Sequence, residues 1–281
     1  MARKSKRGTR ARAAPPQALT TQSLYGRHTI EEALRARRRR LVRLLIREGP
    51  FRPELEPLVA LARAAGVPVA QVEVDALPGG AGPAEAGFQG VVLEAGPLPE
   101  FTDVRELARP RGPAEPSRRL VALDGVEDPQ NVGALARVAD AAGIDGLILT
   151  RRRAPPLSPA LARASAGAIE WLPVARVHNL GRALTTLKEA GFWVIGADPE
   201  ASESLYELAD PLLSGDLVVV LGAEGKGIRT SIRGALDHPI RIPMLGEVAS
   251  LNVATAGAVM LFELLRRSNP SSEPKSDRKG R

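Results

Sequence analysis

The sequence predicts an α/β protein with two regions, the second of which is built on a parallel sheet. Short apolar segments alternate with segments of helical periodicity along residues 118–267. Such alternation is typical of a parallel sheet covered by helices on both faces. A Pro-rich segment at 97–117 separates that region from a shorter α/β region at 22–96. A segment of this composition favours a linker between two domains.

The N-terminal region predicts a small α/β sandwich. Its apolar residues follow a helical period in two segments and form short extended runs in three others. Helices are predicted at 29–36 and 55–65, and strands at 41–46, 67–72 and 91–93. A Gly-rich stretch at 78–90 is predicted to be a loop.

The C-terminal region repeats this alternation more strongly. Strands are predicted at 120–123, 146–149, 174–177, 193–197, 217–221 and 240–242. Helices are predicted at 132–142, 159–164, 180–190, 230–236 and 252–267. Polar motifs follow several of these strands, and ligands of parallel α/β sheets bind beyond the carboxyl ends of the strands. We therefore expect a binding site at that edge of the sheet.

The composition excludes several kinds of active site. Cysteine is absent, which excludes disulfides and thiolate metal sites. The three histidines lie far apart in the sequence, so no metal centre is expected. Aromatic residues make up only 3% of the chain, and ring stacking therefore cannot dominate any binding of nucleic acid. No apolar run is long enough for a membrane span or a secretory signal, so we expect a cytoplasmic protein without a membrane partner.

Positive charge is concentrated near the N-terminus. The net charge is +7, and residues 1–20 hold six Lys and Arg but no acidic residue. The terminal segments 1–21 and 268–281 lack periodicity and are predicted to be disordered. The arginine run at 37–40, which follows the first predicted helix, has two interpretations. It either attracts a polyanion or solvates the end of that helix and interacts with its dipole.

A glycine-rich segment follows the strand predicted at 217–221. It reads Gly-Ala-Glu-Gly-Lys-Gly from Gly222 to Gly227. The spacing does not match a phosphate-binding P-loop, and no dinucleotide-binding fingerprint follows the first strand of this region. Glycines let the backbone approach a ligand closely. Glu224 therefore lies either in a ligand-binding turn or in an ordinary strand-to-helix turn, where it compensates helix N-terminal amides.

Two further polar segments have both a structural and a functional interpretation. Asn131 and Ser250 each precede a predicted helix, where both residue types are common N-caps. Arg137 lies within the helix that follows Asn131, and most arginines at such positions are solvated. Asn252 begins a helix of mostly small and apolar residues. Its amide needs partners, so it is either a structural clamp or a site residue.

Three consecutive arginines, Arg151, Arg152 and Arg153, follow the strand predicted at 146–149. Three cations on one loop rarely serve folding, and this arrangement favours contacts with phosphates. We therefore expect this loop to face the phosphates of a ligand.

Together these segments resemble the three signature motifs of the SpoU (TrmH-like) RNA ribose 2′-O-methyltransferases of the SPOUT superfamily. The motifs are Asn131-x-Gly133-x-x-x-Arg137, Leu221-Gly222-Ala223-Glu224-Gly225-x-Gly227, and Ile242-Pro243-Met244 with Ser250-Leu251-Asn252-Val253. The resemblance covers residues 118–267, and the segment 24–28 resembles the start of the family's RNA-binding domain. Within the family, the chain is most similar to the bacterial 23S rRNA guanosine-2′-O-methyltransferases, which combine both domains.

The resemblance implies a fold that periodicity alone does not predict. It implies a SPOUT methyltransferase domain with a trefoil knot at 118–267, preceded by a small L30e/L7Ae-like domain at 22–96 that binds the RNA substrate. It also implies a homodimer and the cofactor S-adenosyl-L-methionine, held mainly by backbone groups and aliphatic walls. The matching cofactor positions are Leu221, Gly222, Gly227, Ile242, Met244, Leu251 and Val253.

The catalytic roles that the resemblance implies fall on Arg137, Asn131, Glu224, Ser250 and Asn252. Arg137 would be the general base, but a guanidinium is normally protonated, so anchoring a phosphate is the alternative. Arg27, in the segment that resembles the RNA-binding domain, joins Arg151, Arg152 and Arg153 as an implied RNA contact.

The implied substrate is a guanosine of 23S rRNA, either free or in an assembling large ribosomal subunit. Three alternatives stay open: a tRNA guanosine-2′-O-methyltransferase, an antibiotic-resistance rRNA methyltransferase, and a non-catalytic RNA-binding protein of ribosome assembly. The N-terminal domain favours rRNA over tRNA, and the intact motifs favour an enzyme.

Overall fold

The structure is a computed structural model that describes residues 20–50, 52–73, 76–77, 89–109, 112, 116–248 and 250–268. Most of the two terminal segments predicted to be disordered, and of the loop predicted at 78–90, lies outside the described residues. The described chain forms two sheets. None of the described helices combines the length and the hydropathy that a membrane span requires.

The first sheet is mixed and has four strands. The strands are β1 (Gln22–Tyr25), β2 (Leu41–Arg47), β3 (Val69–Val72) and β4 (Val91–Ala95), and the helices are α1 (Arg27–Ala36) and α2 (Glu56–Ala64). The strand order is β1-β4-β2-β3, and only β2 and β3 pair in parallel. α1 buries Ile30, Ala33 and Leu34. Their i, i+3, i+4 spacing places these side chains on one face of the helix, where they form its contact with the core.

The second sheet has seven strands, all of which pair in parallel. The strands are β5 (Arg119–Asp124), β6 (Gly146–Thr150), β7 (Val174–Val177), β8 (Trp193–Ala197), β9 (Glu203–Ser204), β10 (Leu217–Gly222) and β11 (His238–Arg241). The helices are α3 (Pro129–Ala141), α4 (Pro159–Ala164), α5 (Leu180–Glu189), α6 (Asp210–Ser214), α7 (Thr230–Arg233) and α8 (Val253–Ser268). This architecture confirms the predicted α/β fold with a parallel sheet.

The order of the strands determines where this sheet binds ligands. The order is β7-β6-β5-β10-β8-β11-β9. β6 and β7 therefore extend the sheet on one side of β5, and the later strands lie on its other side, with β10 next to β5. Such a reversal leaves a crevice beyond the carboxyl ends of the strands on either side of it. β5 and β10 are buried almost throughout, which explains why both read as continuous apolar runs.

The predicted strands and helices are present, with differences of a few residues at their ends. Three short elements are missing from the sequence prediction: β1, β9 and α6. β1 buries only Leu24, and β9 has two residues, so neither shows a period. The helix predicted at 230–236 ends at Arg233, before Gly234.

The Pro-rich segment between the two sheets is packed against the second one. Phe101 forms a parallel bridge with Ala175, and Val104 is buried. One cluster of buried apolar side chains is shared by both sheets and includes Leu24 of the first and Leu123 of the second. The two sheets therefore share a continuous core. The domain boundaries at 21, 96, 117 and 267 stay predictions.

Candidate active site

A pocket opens at the carboxyl ends of β8, β10 and β11. Its empty space, including the part open to solvent, is about 780 Å³. All seven predicted cofactor positions line it: Leu221, Gly222, Gly227, Ile242, Met244, Leu251 and Val253. Glu224 and Ser250 of the predicted catalytic set line it as well. The structure thus brings the second and third motifs together in one pocket.

The glycine-rich segment forms a tight turn in the wall of this pocket. Ala223 and Gly227 form a bridge in which the Gly227 N–H donates to the Ala223 carbonyl at 2.8 Å. A Cβ on Gly222 would lie 2.1 Å from the carbonyl carbon of Gly227, so the turn accepts only glycine there. Glu224 is exposed and has no hydrogen-bond or ion-pair partner among the described residues. The alternative in which Glu224 compensates helix amides is wrong, because α7 begins at Thr230 without a side-chain cap.

A buried carboxylate that the sequence analysis did not single out fixes this turn. Asp124 ends β5, opposite Gly222 in the register. Its Oδ2 accepts from the Arg229 backbone N–H at 2.9 Å and its Oδ1 from Arg229 Nε at 2.7 Å. The hydrogen bond to Asp124 raises the pKa of Arg229. This clamp joins the end of β5 to Arg229, two residues beyond the turn, and its sequence signal is an acid at the end of an apolar strand.

A second carboxylate missing from the sequence analysis lies on the pocket wall. Asp198 follows β8 and is 7% exposed. Its Oδ1 accepts from the Glu200 backbone N–H at 3.1 Å, and its Oδ2 lies 3.2 Å from Arg233 Nη1. Asp198 is therefore already paired with a cation, and Glu224 is the exposed carboxylate of the pocket that could face a positively charged ligand.

The structure shows which residues cap α3 and α8. Asp128, not Asn131, caps α3, since its side chain accepts from the backbone N–H two residues on. Asn252, not Ser250, caps α8, with its Oδ1 accepting from the Ala254 N–H at 2.9 Å. The N-cap interpretations of Asn131 and Ser250 are therefore wrong. The Asn252 side-chain amide also donates to Asn131 Oδ1 at 2.9 Å, so it ties the first motif to the third.

Arg137 lies on α3, six residues beyond Asn131. It is exposed, and its side chain has no hydrogen-bond or ion-pair partner among the described residues. It does not line the pocket. The guanidinium is therefore available to bind a phosphate from outside the protein.

The four arginines predicted to contact RNA fall into two groups. Arg151, Arg152 and Arg153 follow β6 at the same sheet edge as the pocket, two strands from β10, or about 10 Å across the sheet. Arg152 and Arg153 are exposed, whereas Arg151 lies 4.0 Å from Glu100. Arg27 begins α1 in the other sheet region. In the described part of the chain, no cluster of His, Asp or Glu could hold a metal ion.

Comparison with known proteins gives matches along both regions. Residues 118–262 match the SpoU rRNA Methylase family, and residues 23–101 match a family described as RNA 2′-O ribose methyltransferase substrate binding. The 23S rRNA (guanosine-2′-O-)-methyltransferase RlmB of Pseudomonas aeruginosa is 39% identical over 251 residues, which cover 89% of this chain and 98% of that protein. The RlmB of Pseudomonas syringae is 37% identical over 259 residues, which cover 90% of this chain and 98% of that protein.

Solved structures show the same fold. The AdoMet-bound rRNA methyltransferase from Sinorhizobium meliloti has a TM-score of 0.69 and 27% identity, covering 88% of this chain and 87% of that one. The SpoU methyltransferase AviRb from Streptomyces viridochromogenes has a TM-score of 0.71 at 22% identity, covering 88% and 90%, which is a likeness of fold. From the family match and the identity to both relatives, it follows that this chain belongs to the SpoU rRNA methylase family.

Proposed function

We propose that this protein is an S-adenosyl-L-methionine-dependent RNA methyltransferase that methylates the ribose 2′-OH of a guanosine in 23S rRNA. The observation that carries this proposal is that the second and third motifs line one pocket. The first motif is joined to the third by the hydrogen bond between Asn131 and Asn252. The name and the 39% identity of the P. aeruginosa relative, across 98% of its length, support the choice of substrate. The proposal includes a cytoplasmic location, where that substrate would be found.

The pocket suits S-adenosyl-L-methionine chemically. Leu221, Ile242 and Leu251 provide apolar walls. The close packing of Gly222 on Gly227 leaves backbone groups, rather than side chains, at the surface of the turn. Such a wall can hold an adenine ring by main-chain hydrogen bonds and apolar contact. The exposed Glu224 carboxylate at the pocket suits the positively charged groups of this cofactor. The AdoMet-bound S. meliloti structure supports the same assignment.

The residues around the pocket would position the reacting ribose. When bound, S-adenosyl-L-methionine supplies an activated methyl group for in-line transfer to the 2′-oxygen. The 2′-OH must lie in line with that methyl group and lose its proton as the O–C bond forms and the S–C bond breaks. We assign this positioning to Asn131, Asn252, Glu224 and Ser250. The exposure of Arg137 favours a role as phosphate anchor, with the proton passing to water, over a role as general base.

The proposal includes a homodimer and a trefoil knot. Leu245 and Val248, between β11 and α8, and Phe262 on α8 are large apolar side chains that are exposed in the single chain. Exposed apolar surface of this kind supports an interface with a partner. The knot is proposed from the resemblance of residues 118–267 to the SPOUT methyltransferases. Light scattering during gel filtration should give twice the 29.8 kDa mass of one chain, and a mass of one chain would contradict the dimer.

A methyl-transfer assay tests the function. Purified protein is incubated with labelled S-adenosyl-L-methionine and either unmodified 23S rRNA or tRNA, and the product is mapped by mass spectrometry. We expect label on the 2′-oxygen of one guanosine in 23S rRNA. Label in tRNA alone would favour the tRNA enzyme, and no label despite cofactor binding would favour the non-catalytic protein.

The assay also tests the role of Arg137. Arg137→Ala should lower transfer and leave cofactor affinity nearly unchanged. Arg182→Ala, which removes an exposed arginine of α5, is the matched control and should retain wild-type transfer. Wild-type turnover by Arg137→Ala would remove this residue from the mechanism.

A further inference from the structure

An arginine of the first sheet region is buried against the second. Arg39 and Glu170 form a bidentate ion pair, with Nε to Oε2 at 2.9 Å and Nη2 to Oε1 at 2.7 Å. Their side chains are 1% and 0% exposed. Arg39 Nη1 also donates to Gln22 Oε1 at 3.1 Å and to the Gly96 carbonyl at 3.2 Å. Arg39 is therefore anchored in its own region and reaches across the boundary to a single carboxylate.

The charge of Glu170 depends on this partner. Burial raises the pKa of Glu170, and the neighbouring Arg39 guanidinium opposes that effect. A buried charge whose partner is removed is strongly destabilising, because neither water nor a counter-ion then compensates it. Removal of either partner therefore disfavours the docked arrangement of the two regions, because the other charge would stay buried there without a partner.

Further contacts cross the same boundary. Arg38 Nη1 donates to the Leu172 carbonyl at 2.5 Å and to the Glu170 carbonyl at 3.3 Å. Trp171 Nε1 donates to Glu32 Oε2 at 2.7 Å. On the side of the small region, all of these contacts come from α1 and the residues that follow it. On the side of the second sheet region, they all fall on three consecutive residues, 170–172.

Residues 170–172, which accept or make these contacts, belong to a segment that also packs near α3. It follows α4, which packs on α3 at Gly133 so closely that a Cβ there would lie 2.5 Å from Ala164 Cβ. α3 carries Asn131 and Arg137. Packed side chains and rigid elements of this kind transmit position, because well-packed interiors deform little. The first sheet region, the segment after α4, and α3 thus form one continuous packed unit.

We propose that Arg39 and Glu170 are positioning residues for the methyl-transfer reaction. Their pair holds the small region at a fixed place relative to α3, so that an RNA bound by that region presents one nucleotide, and not its neighbours, to the pocket. The inference rests on the proposed function, because it assigns RNA binding to the small region. It concerns the selection of the nucleotide rather than the chemistry of transfer.

The same contacts answer the question left open for the arginine run at 37–40. Arg38 and Arg39 are bonded across the boundary, and Arg37 Nη2 donates to the Ala64 carbonyl at 3.3 Å. Arg40 is exposed and has no side-chain partner among the described residues. The run is therefore mainly structural, and one arginine of the four remains for RNA.

The variant Glu170→Gln tests the proposal, since it keeps the side-chain shape and removes the charge. We expect kcat/KM for 23S rRNA to fall by roughly tenfold to a hundredfold, methyl groups to appear on nucleotides that flank the main site, and the Kd for S-adenosyl-L-methionine to stay unchanged. The exchange variant Arg39→Glu/Glu170→Arg should recover a single product site.

A matched control lies within the small region. Glu94 also accepts a bidentate pair, from Arg43 at 2.8 Å and 3.0 Å, but both residues belong to the same sheet. Glu94→Gln should therefore keep one product site. Additional product sites in Glu94→Gln, or one product site at the wild-type rate in Glu170→Gln, would overturn the proposal.

Small-angle X-ray scattering of the wild-type full chain tests the docking without RNA and without a variant that could misfold. A single compact arrangement of the two regions in the wild-type protein supports the proposal. A wild-type curve that requires a range of separations overturns it. Wild-type protein that scatters as one docked unit but methylates no RNA would overturn the proposed function, and with it the role in nucleotide selection, while the docked geometry would stand.

Discussion

The side-chain amide of Asn252 donates to the side-chain oxygen of Asn131 at 2.9 Å, although 121 residues separate them in the chain. The Oδ1 of the same Asn252 accepts from the Ala254 N–H at 2.9 Å. One side chain thus caps α8 and ties it to α3, the helix that carries Arg137. The two roles can be separated, because aspartate keeps the oxygen acceptors and loses the donor.

Asn252→Asp should therefore retain the cap and lose the tie to Asn131. We expect its melting temperature to stay near that of the wild type, with kcat/KM for RNA lowered about tenfold. Asn252→Ala should also lose the cap, which costs about 1 kcal/mol of stability. Thermal unfolding and the methyl-transfer assay measure the two effects.

Asn179→Ala is the control for this pair of variants. Asn179 caps α5 by accepting from the Arg182 N–H at 3.1 Å. Its loss should lower stability by a similar amount and leave transfer unchanged. Wild-type transfer by Asn252→Asp would show that the bond to Asn131 has no part in catalysis.

Gly222→Ala should prevent the pocket from forming. The added Cβ would meet the Gly227 backbone at 2.1 Å, and backbone in a tight turn cannot move aside as a side chain can. Calorimetric titration should show a loss of binding to S-adenosyl-L-methionine. Gly234→Ala, where the new Cβ meets no atom within 4 Å, should bind the cofactor as the wild type does. Equal affinity in the two variants would contradict the role of the turn.

Asp124→Asn should weaken cofactor binding through the turn that Asp124 clamps. The neutral amide loses the ionic contact and one acceptor, so we expect a loss of roughly 1–3 kcal/mol of stability. Arg229 is 39% exposed, so solvent screening keeps the ionic share of that loss small. Urea unfolding and cofactor titration measure both changes.

Asp237→Asn is the matched control, since Asp237 also accepts from a backbone N–H, that of Val194 at 2.9 Å, and pairs with Lys188. This site lies at the start of β8, at the opposite end of the strand from the pocket. A stability loss without a change in cofactor affinity is expected there. An unchanged affinity in Asp124→Asn would mean that the clamp does not position the pocket.

Asp216 should make the fold sensitive to acid. Burial raises the pKa of Asp216, but the hydrogen bonds from the Arg118 side chain and backbone together with the nearby arginine charges lower it by more. Its pKa therefore lies below the usual aspartate value. The folded state therefore binds this proton less tightly than the unfolded state. The stability from the pair is fully present above about pH 4, the ordinary aspartate pKa, and is lost as the pH falls through the lowered folded value.

Asp216→Asn should lower stability at neutral pH and flatten the acid dependence below about pH 4. Melting curves recorded across this pH range measure both effects. Asp103 is the solvent-exposed comparison: its pKa is also lowered, chiefly by the Arg105 backbone N–H. Solvent screens that interaction, so Asp103→Asn should change the curve less than Asp216→Asn does. Parallel curves for wild type and Asp216→Asn would contradict the assignment.

The strands and long helices were predictable because their periods are strong. β5 and β10 are buried on both faces and read as unbroken apolar runs, and α8 reads as a long apolar helix. The start of α3 was misplaced, although Asp128 followed by Pro129 at the first helical position was the available signal.

The partners in the site were less predictable than its motifs. Asp124, Asp198 and the Arg39–Glu170 pair act through contacts that the fold creates between distant segments. No local period encodes such contacts, because they depend on strand order and on the packing of separate elements. The motif residues were found through a resemblance to a family, and the structure adds their geometry.

The central claim is that the pocket between the glycine turn and residues 242–253 holds the methyl donor. Crystals grown with S-adenosylhomocysteine, the product of transfer, test it most directly. We predict ligand density against Leu221, Ile242 and Leu251. Density at another place on the protein, with side chains filling this pocket, would contradict the claim.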